Sequence, residues 1–272
     1  AMKIPGLNIK IKKFKKGTIL RAFLILVLAG LAVGLGAIFG AYVAIKDNLP
    51  EVADIETFRP KLITTIYAAD GTPIKEFAEE RRVEVPYDRL PKSLVEAIVA
   101  TEDPSFFHHG GVDLRGILRA VWADVFKVFS GRRPEGGSTI TQQLARSLFL
   151  HREVSLRRKL KELWVSREIE KLYPKEKILE LYCNHFFLGN GAYGVQAAAS
   201  LFFGKNVSDL SLEESAMIAG IFRGPAVYSP YSNATGTLNR RNHVFNRLVA
   251  EGYLSRTEGE VAKRLPMTVL PL

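Results

Sequence analysis

The chain of 272 residues holds one cysteine, Cys183, so no disulfide can form within it and no cysteine cage for a metal can be assembled. Its five histidines are no better arranged. His108 and His109 are adjacent rather than four apart on a helix, and His151, His185 and His243 lie far away in sequence. A transition-metal site is therefore not expected. Residues 1–21 lack any acid, and residues 22–45 lack any charge. The first of these absences relocates the basic character of the protein. Lys3, Lys10, Lys12, Lys13, Lys15, Lys16 and Arg21 carry seven of the ten net positive charges, leaving +3 for the other 251 residues. A basic tail is not a basic domain, and nucleic acid is not expected as a partner.

The charge-free run reads AFLILVLAGLAVGLGAIFGAYVAI, 24 residues. At ~1.5 Å per residue a helix of this length crosses the roughly 30 Å hydrocarbon core of a bilayer. The apolar part of a secretory signal runs to only about 7–15 residues, so a retained transmembrane helix is expected over 22–45. The Lys/Arg cluster before it puts the N-terminus in the cytoplasm and the remainder outside. A buried helix of a soluble domain is a poor alternative, because Gly30, Gly34, Gly36 and Gly40 would weaken it. The four-residue spacing of Gly30 and Gly34, and again of Gly36 and Gly40, also suits helix pairing within the membrane.

Residues 46–90 read as a membrane-proximal linker with short strands: LITTIYAADGTPIKEFAEERRVEV alternates, turns at Asp70-Gly71 and resumes. From Pro91 to about residue 250 the pattern is helical, and 251–272 reads as a linker. PKSLVEAIVATED places Leu94, Ala97, Ile98 and Thr101 on one stripe and stops before Pro104. A second amphipathic helix is expected over 111–129, then a breaker-rich loop, SGRRPEGG. Phe126, Val128 and Phe129 before that loop suit either the core or a membrane interface. Further helices are expected at about 138–149, 155–173, 174–183, 193–202, 211–222 and 238–250.

Three stretches can carry chemistry. In ATEDPSFFHHGG, Glu102 stands on the last turn of its helix, near the carbonyl end and beside Asp103. Both neighbours disfavour its ionised form, a condition suited to a general base near neutral pH, although a solvated helix end reads the same way. His109 reads as a structural histidine whose ring bonds backbone in the Gly110-Gly111 turn. In EGGSTITQQLARSLFL, Ser138 and Thr139 can cap a helix and leave its amides free for an anion, while Gln142, Gln143 and Arg146 line one side. An ordinary capped helix fits as well. In RRKLKELWVSREIEKLY, Leu160, Leu163 and Trp164 form one apolar face and Val165, Ile169 and Leu172 another, so the helix is expected to be largely buried. Glu162 lies near the second face with Arg158 and Lys159 a turn before it, either a structural ion pair or part of an anion site. Two carboxylates on different helices, with the Gly- and aromatic-rich loop HFFLGNGAYGV, suggest glycosyl transfer.

Taken in order, these stretches resemble the peptidoglycan glycosyltransferases, glycosyltransferase family 51. The pattern E-D-x-x-F-x-x-H-x-G is met by Glu102, Asp103, Phe106, His109 and Gly111. The pattern G-x-S-T-I-T-Q-Q-x-x-[KR]-N is met from Gly136 through Arg146, with Ser147 in place of asparagine. Arg158, Lys159, Glu162 and Glu170 meet the third motif, with Ser166 and Ile169 as variants, and Val154 stands where relatives often carry arginine. KILELYCN resembles the fourth, with Glu180, Tyr182 and Asn184, and GAYGVQAAASLFFGK the fifth, with Gly194.

The resemblance implies a mainly α, lysozyme-like domain over 91–250 with a small membrane-proximal lobe and one N-terminal transmembrane helix. It implies polymerisation of lipid II by transfer of the growing lipid-linked glycan, with Glu102 and Glu162 as catalytic residues. It further implies substrate contacts from Asp103, Phe106, His109, Ser138, Thr139, Gln142, Gln143, Arg146, Arg158, Lys159, Lys161, Asn184 and Gly194. A divalent cation, Mg2+ or Mn2+, is an implied helper, with no organic cofactor. The implied location is the bacterial cytoplasmic membrane, single-pass, with cell-wall synthesis partners met through the transmembrane helix. The flanks resemble those of bifunctional class A penicillin-binding proteins. With no S-x-x-K or K-T-G present, the expectation is the N-terminal part of such a protein, a natural monofunctional enzyme being the alternative. The rival functions are a membrane-anchored, lysozyme-like lytic enzyme and a non-catalytic glycan-binding scaffold. The cationic third motif argues against the first and the paired glutamates against the second.

Overall fold

The computed structural model describes residues 16–46, 64–70, 73–77, 81–117, 137–150 and 155–272. The chain divides into two units, 1–49 and 50–272. The first contains helix α1, Lys16–Lys46, so the expected run 22–45 is helical throughout. Its described side chains fall in short stretches such as 24–30 and 32–36. Among the described residues no helix is long and apolar enough to cross a membrane. The uninterrupted apolar length is thus a property of the sequence, and the spanning role is not a finding of the structure.

In the second unit, β1 (Thr64–Tyr67) and β2 (Pro73–Phe77) pair antiparallel, with Thr65 opposite Glu76 and Ile66 opposite Lys75. This is the expected strand-turn-strand. A second sheet was not expected. Its β3 (Arg81–Arg82) runs parallel to β5 (Ala192–Tyr193), which pairs antiparallel with β4 (Phe187–Gly189). The stretch read as a Gly- and aromatic-rich loop is therefore a hairpin. Asn190 (φ 50°) and Gly191 (φ 79°) both take the left-handed conformation that a two-residue turn requires.

The rest of the unit is helical. Helix α2 (Lys92–Glu102) begins after Pro91 and ends at Asp103, before Pro104. Leu94, Ala97 and Ile98 are buried as expected, but so are Val99 and Ala100, because α2 packs against two helices. These are α7 (Leu212–Ile221), which starts at a Ser211/Glu214 capping box, and α8 (Ala234–Ala250). Seven consecutive residues of α7, Ser215 to Ile221, are buried, four of them Ser, Ala or Gly. Helix α3 (Ile140–Phe149) packs on α4 (Leu156–Leu172) and α5 (Lys175–His185), and α6 (Val195–Phe203) follows β5.

Three readings change. Helix α4 buries Val165 and Ile169, but Leu172 on the same face is 55 % and Trp164 on the other face 37 % exposed, so the helix is less buried than its two apolar faces suggest. Residues 251–272, read as linker, contain α9 (Arg256–Arg264), and the Leu270 amide bonds the Phe202 carbonyl at 2.8 Å. The buried Arg241 guanidinium ties this segment down by donating to the carbonyls of Lys263, Leu265 and Pro266. Of the expected helix 111–129, residues 114–117 are helical. Phe126, Val128 and Phe129, with Gly136 and Val154, lie outside the described residues.

Candidate active site

Helix α3 organises the site, because its two consecutive glutamines point to different carboxylates. Neighbouring residues on a helix project about 100° apart. Gln143 faces Glu102 and Gln142 faces the Lys159–Glu162 cluster.

Glu102 ends α2 and is not a solvated helix end. Its side chain is 6 % exposed. Gln143 Nε2 donates to Oε2 at 3.0 Å, and Arg240 Nη2 donates to Oε1 at 3.4 Å. The other end of the Gln143 amide accepts from the Tyr182 hydroxyl at 3.2 Å. Tyr182 is fully buried and stacks on Phe222, ring centroids 4.9 Å apart at 12°. Burial, and after it the charge of Glu102, holds the tyrosine pKa well above its ordinary value. Arg240 reaches Glu102 from α8, its Nε donating to the Gly220 carbonyl on α7 at 3.3 Å. Burial pulls its pKa down, and Glu102 is the main group opposing that.

Glu162 is completely buried and already neutralised. Lys159 Nζ lies 2.6 Å from Oε1 and Arg158 Nη1 3.0 Å from Oε2. Lys159 also donates to Ser138 Oγ at 2.9 Å and Gln142 Oε1 at 3.2 Å, which occupies its three ammonium protons. One carboxylate and two cations leave the cluster with a net positive charge. Two donors there, Gln142 Nε2 and Arg158 Nε, are buried without a hydrogen-bond partner among the described residues. Arg146 is exposed on α3 and Lys161 half-buried on α4.

The remaining expected contact residues have protein partners. Asp103 is buried and accepts from His109 Nε2 (3.0 and 3.1 Å) and from the Ile140 amide (3.0 Å). His109 is thus held by a carboxylate, not by backbone. The same contact corrects the reading of α3's N-terminus. The Ile140 amide is taken by Asp103 and the Gln142 amide by Thr139 Oγ1, so an internal carboxylate already sits where a free anion was expected. Thr139 donates to the Gly111 carbonyl at 2.7 Å. At Gly111 (φ 87°) an added Cβ would lie 2.6 Å from the Ser166 carbonyl oxygen, so only glycine lets this turn rest on α4. Phe106 is buried in the core with the Lys175 ammonium 4.2 Å from its ring centre. Lys175 and Thr141 both donate to Glu170. Asn184 is spent on the Val85 amide and carbonyl, and Glu180 accepts from the Tyr87 amide. Gly194 (φ 79°) packs on the Asn184 carbonyl.

Among the described residues no group of three His, Cys, Asp or Glu side chains is placed to hold a metal ion. Both oxygens of Glu162 hold cations of the protein itself. The residues present therefore do not fit a divalent cation at Glu162.

Sequence reading missed Arg240, which is 138 residues from Glu102, and missed what Tyr182 does. Nothing local marks Arg240. The Asn190-Gly191 pair, by contrast, was a readable hairpin signal.

A family model described as transglycosylase matches residues 70–249. The chain is similar to penicillin-binding protein 1A of Escherichia coli strain K12, 44 % identical over 236 residues, covering 87 % of this chain and 27 % of that protein. It is 40 % identical over 252 residues to penicillin-binding protein 1A of Vibrio cholerae, covering 93 % of this chain and 30 % of that one. The counterpart in Aquifex aeolicus is 42 % identical over 227 residues, covering 84 % and 31 %. The chain thus spans less than a third of the length of these relatives. A crystal structure of penicillin-binding protein 1A from Haemophilus influenzae aligns at 27 % identity with a TM-score of 0.46, over 78 % of this chain and 22 % of that one, too loosely for side-chain comparison.

Proposed function

Because the chain belongs to the transglycosylase family, we propose that it is a peptidoglycan glycosyltransferase that polymerises lipid II into β-1,4 glycan. The observation that carries this reading is the pair of buried glutamates on two flanks of α3, one engaged by an amide and a longer guanidinium contact, the other saturated by two cations. Glu102 is the general base. It takes the proton of the acceptor's GlcNAc 4-hydroxyl, the oxygen bonds the donor's anomeric carbon, and the carbon–oxygen bond to phosphate breaks. Configuration inverts, and the electron pair leaves with undecaprenyl pyrophosphate.

The leaving group carries the larger electrostatic burden. Lys159 and Arg158 meet it, joined by Arg146 and Lys161, with Glu162 holding the first two in place and keeping the cluster from excess charge. Ser138, Gln142 and Gln143 supply neutral hydrogen bonds. Asp103, Phe106, His109, Thr139, Asn184 and Gly194 act by holding the walls of the site together, as their protein partners suggest. The mainly helical domain is read as lysozyme-like with a small membrane-proximal lobe. Helix α1 is read as a single transmembrane anchor, with the N-terminus cytoplasmic, the domain outside the bacterial cytoplasmic membrane, and cell-wall synthesis partners met through it. A substrate with a lipid tail makes such an anchor useful.

The test uses the detergent-solubilised protein and labelled lipid II, comparing wild type with Glu102→Gln. Long, lysozyme-digestible glycan from the wild type and none from an equally folded variant is expected. Shortened pre-formed glycan with no polymer would mean a lytic enzyme, and lipid II binding without any product a scaffold.

A further inference from the structure

Glu102 can work as a base only if its carboxylate faces one way, and the side chains around it show what sets that direction. A glutamine amide presents a donor at one end and an acceptor at the other. Glu102 as a carboxylate can only accept, so Gln143 must turn Nε2 toward it, at 3.0 Å. Gln143 Oε1 then faces Tyr182, whose hydroxyl must donate, at 3.2 Å. The chain runs in one sense, from the Tyr182 O–H to the Gln143 amide to the Glu102 carboxylate. Tyr182 itself is held on both sides: its ring stacks on Phe222 and lies 4.4 Å from Phe186, and no part of it reaches solvent. Its hydroxyl bonds Gln143 and not Glu102 itself.

Resting on the reading of Glu102 as the base, we infer that Tyr182 is a positioning residue whose hydroxyl locks the Gln143 amide and thereby aims the Glu102 carboxylate. Arg240 holds the second oxygen from α8, so the carboxylate is fixed from two elements that do not share a sequence motif. The lock needs Tyr182 to keep its proton. The charged and titratable groups acting on it are Glu102, Cys183 and Asp103, which favour the protonated form, and Arg146, which opposes them. Removing the hydroxyl orphans Gln143 Oε1 and frees the amide to flip. In the flipped state a carbonyl oxygen faces the carboxylate, which favours protonation of Glu102.

The decisive variant is Tyr182→Phe, which keeps the ring and its stacking. Polymerisation of labelled lipid II should show kcat reduced roughly tenfold with KM unchanged, the loss of about one hydrogen bond's worth of orientation. The acidic limb of the kcat profile should move to higher pH. Tyr182→Phe combined with Gln143→Leu should cost little more than Gln143→Leu alone, because both break one chain. A variant that only loses thermal stability, with wild-type kcat and an unmoved acidic limb, overturns the inference while leaving Glu102 as the base. Wild-type activity retained by Glu102→Gln overturns the underlying reading instead.

Discussion

The two buried glutamates are the same residue in opposite circumstances. Glu162 receives an ammonium at 2.6 Å and a guanidinium at 3.0 Å, both from its own helix one turn earlier. Glu102 receives an amide at 3.0 Å and a guanidinium at 3.4 Å, both from helices other than its own. Two cations of its own helix saturate the oxygens of Glu162. The set around Glu102 is looser, one amide and one longer guanidinium contact. Chemistry is assigned by the surroundings of a carboxylate, not by its presence.

Exchanging the ionisable group at each position probes this difference most directly. On the proposed mechanism Glu102→Gln removes the general base and should lower polymerisation by about 10²–10⁴-fold, with the thermal midpoint near wild type. Glu162→Gln should instead destabilise the fold, by about 3 kcal/mol. That is the low end for a broken buried ion pair, because the Lys159 side chain keeps 39 % of its exposure and Arg158 also reaches water. Urea unfolding measures it, and an unchanged midpoint would remove Glu162 from its role as counter-ion.

A smaller effect is expected at the turn that carries the first motif onto α4. Gly111→Ala places a Cβ 2.6 Å from a backbone oxygen at positive φ and should cost about 1–3 kcal/mol. Calorimetry showing no loss would mean the turn relaxes freely. The smallest effect belongs to the buried thiol beside Tyr182. Burial pushes Cys183 from an ordinary 9.0 up to about 12. Above about pH 9 the unfolded thiol loses its proton while the folded one keeps it, so stability falls as pH rises through that window. Cys183→Ala should flatten this alkaline decline by at most about 1.4 kcal/mol per pH unit, read from unfolding midpoints at pH 8 and pH 10.5. Tyr182 adds a loss of the same sign above its own ordinary value of 10.0.

What could be read in advance was what is encoded over short distances. The stripe of α2, the strand pair before it, the cap of α3 by Thr139, and the Arg158/Lys159/Glu162 cluster one turn apart all follow from spacing within a helix or hairpin. Errors arose where a local pattern had two outcomes. Trp164 and Leu172 sit on two faces spaced for burial, yet both are exposed. Ser138 and Thr139 have the composition of an anion-binding helix start, but Asp103, 37 residues away, already accepts from the first amide. Residues 251–272 have the polarity of a linker, but Arg241 and the Phe202 carbonyl hold them down.

Residue order alone was enough for the charge-free run in α1, the order of helices α2 to α8, and the pairing of Glu162 with Arg158 and Lys159, since each depends on side chains within a turn or two of one another. Only tertiary packing could bring Gln143 from α3, Tyr182 from α5 and Arg240 from α8 onto Glu102. Hydrogen-bond direction and ion pairing are decided by which groups meet in space. Groups separated by up to 138 residues leave no periodic trace of that meeting in the chain.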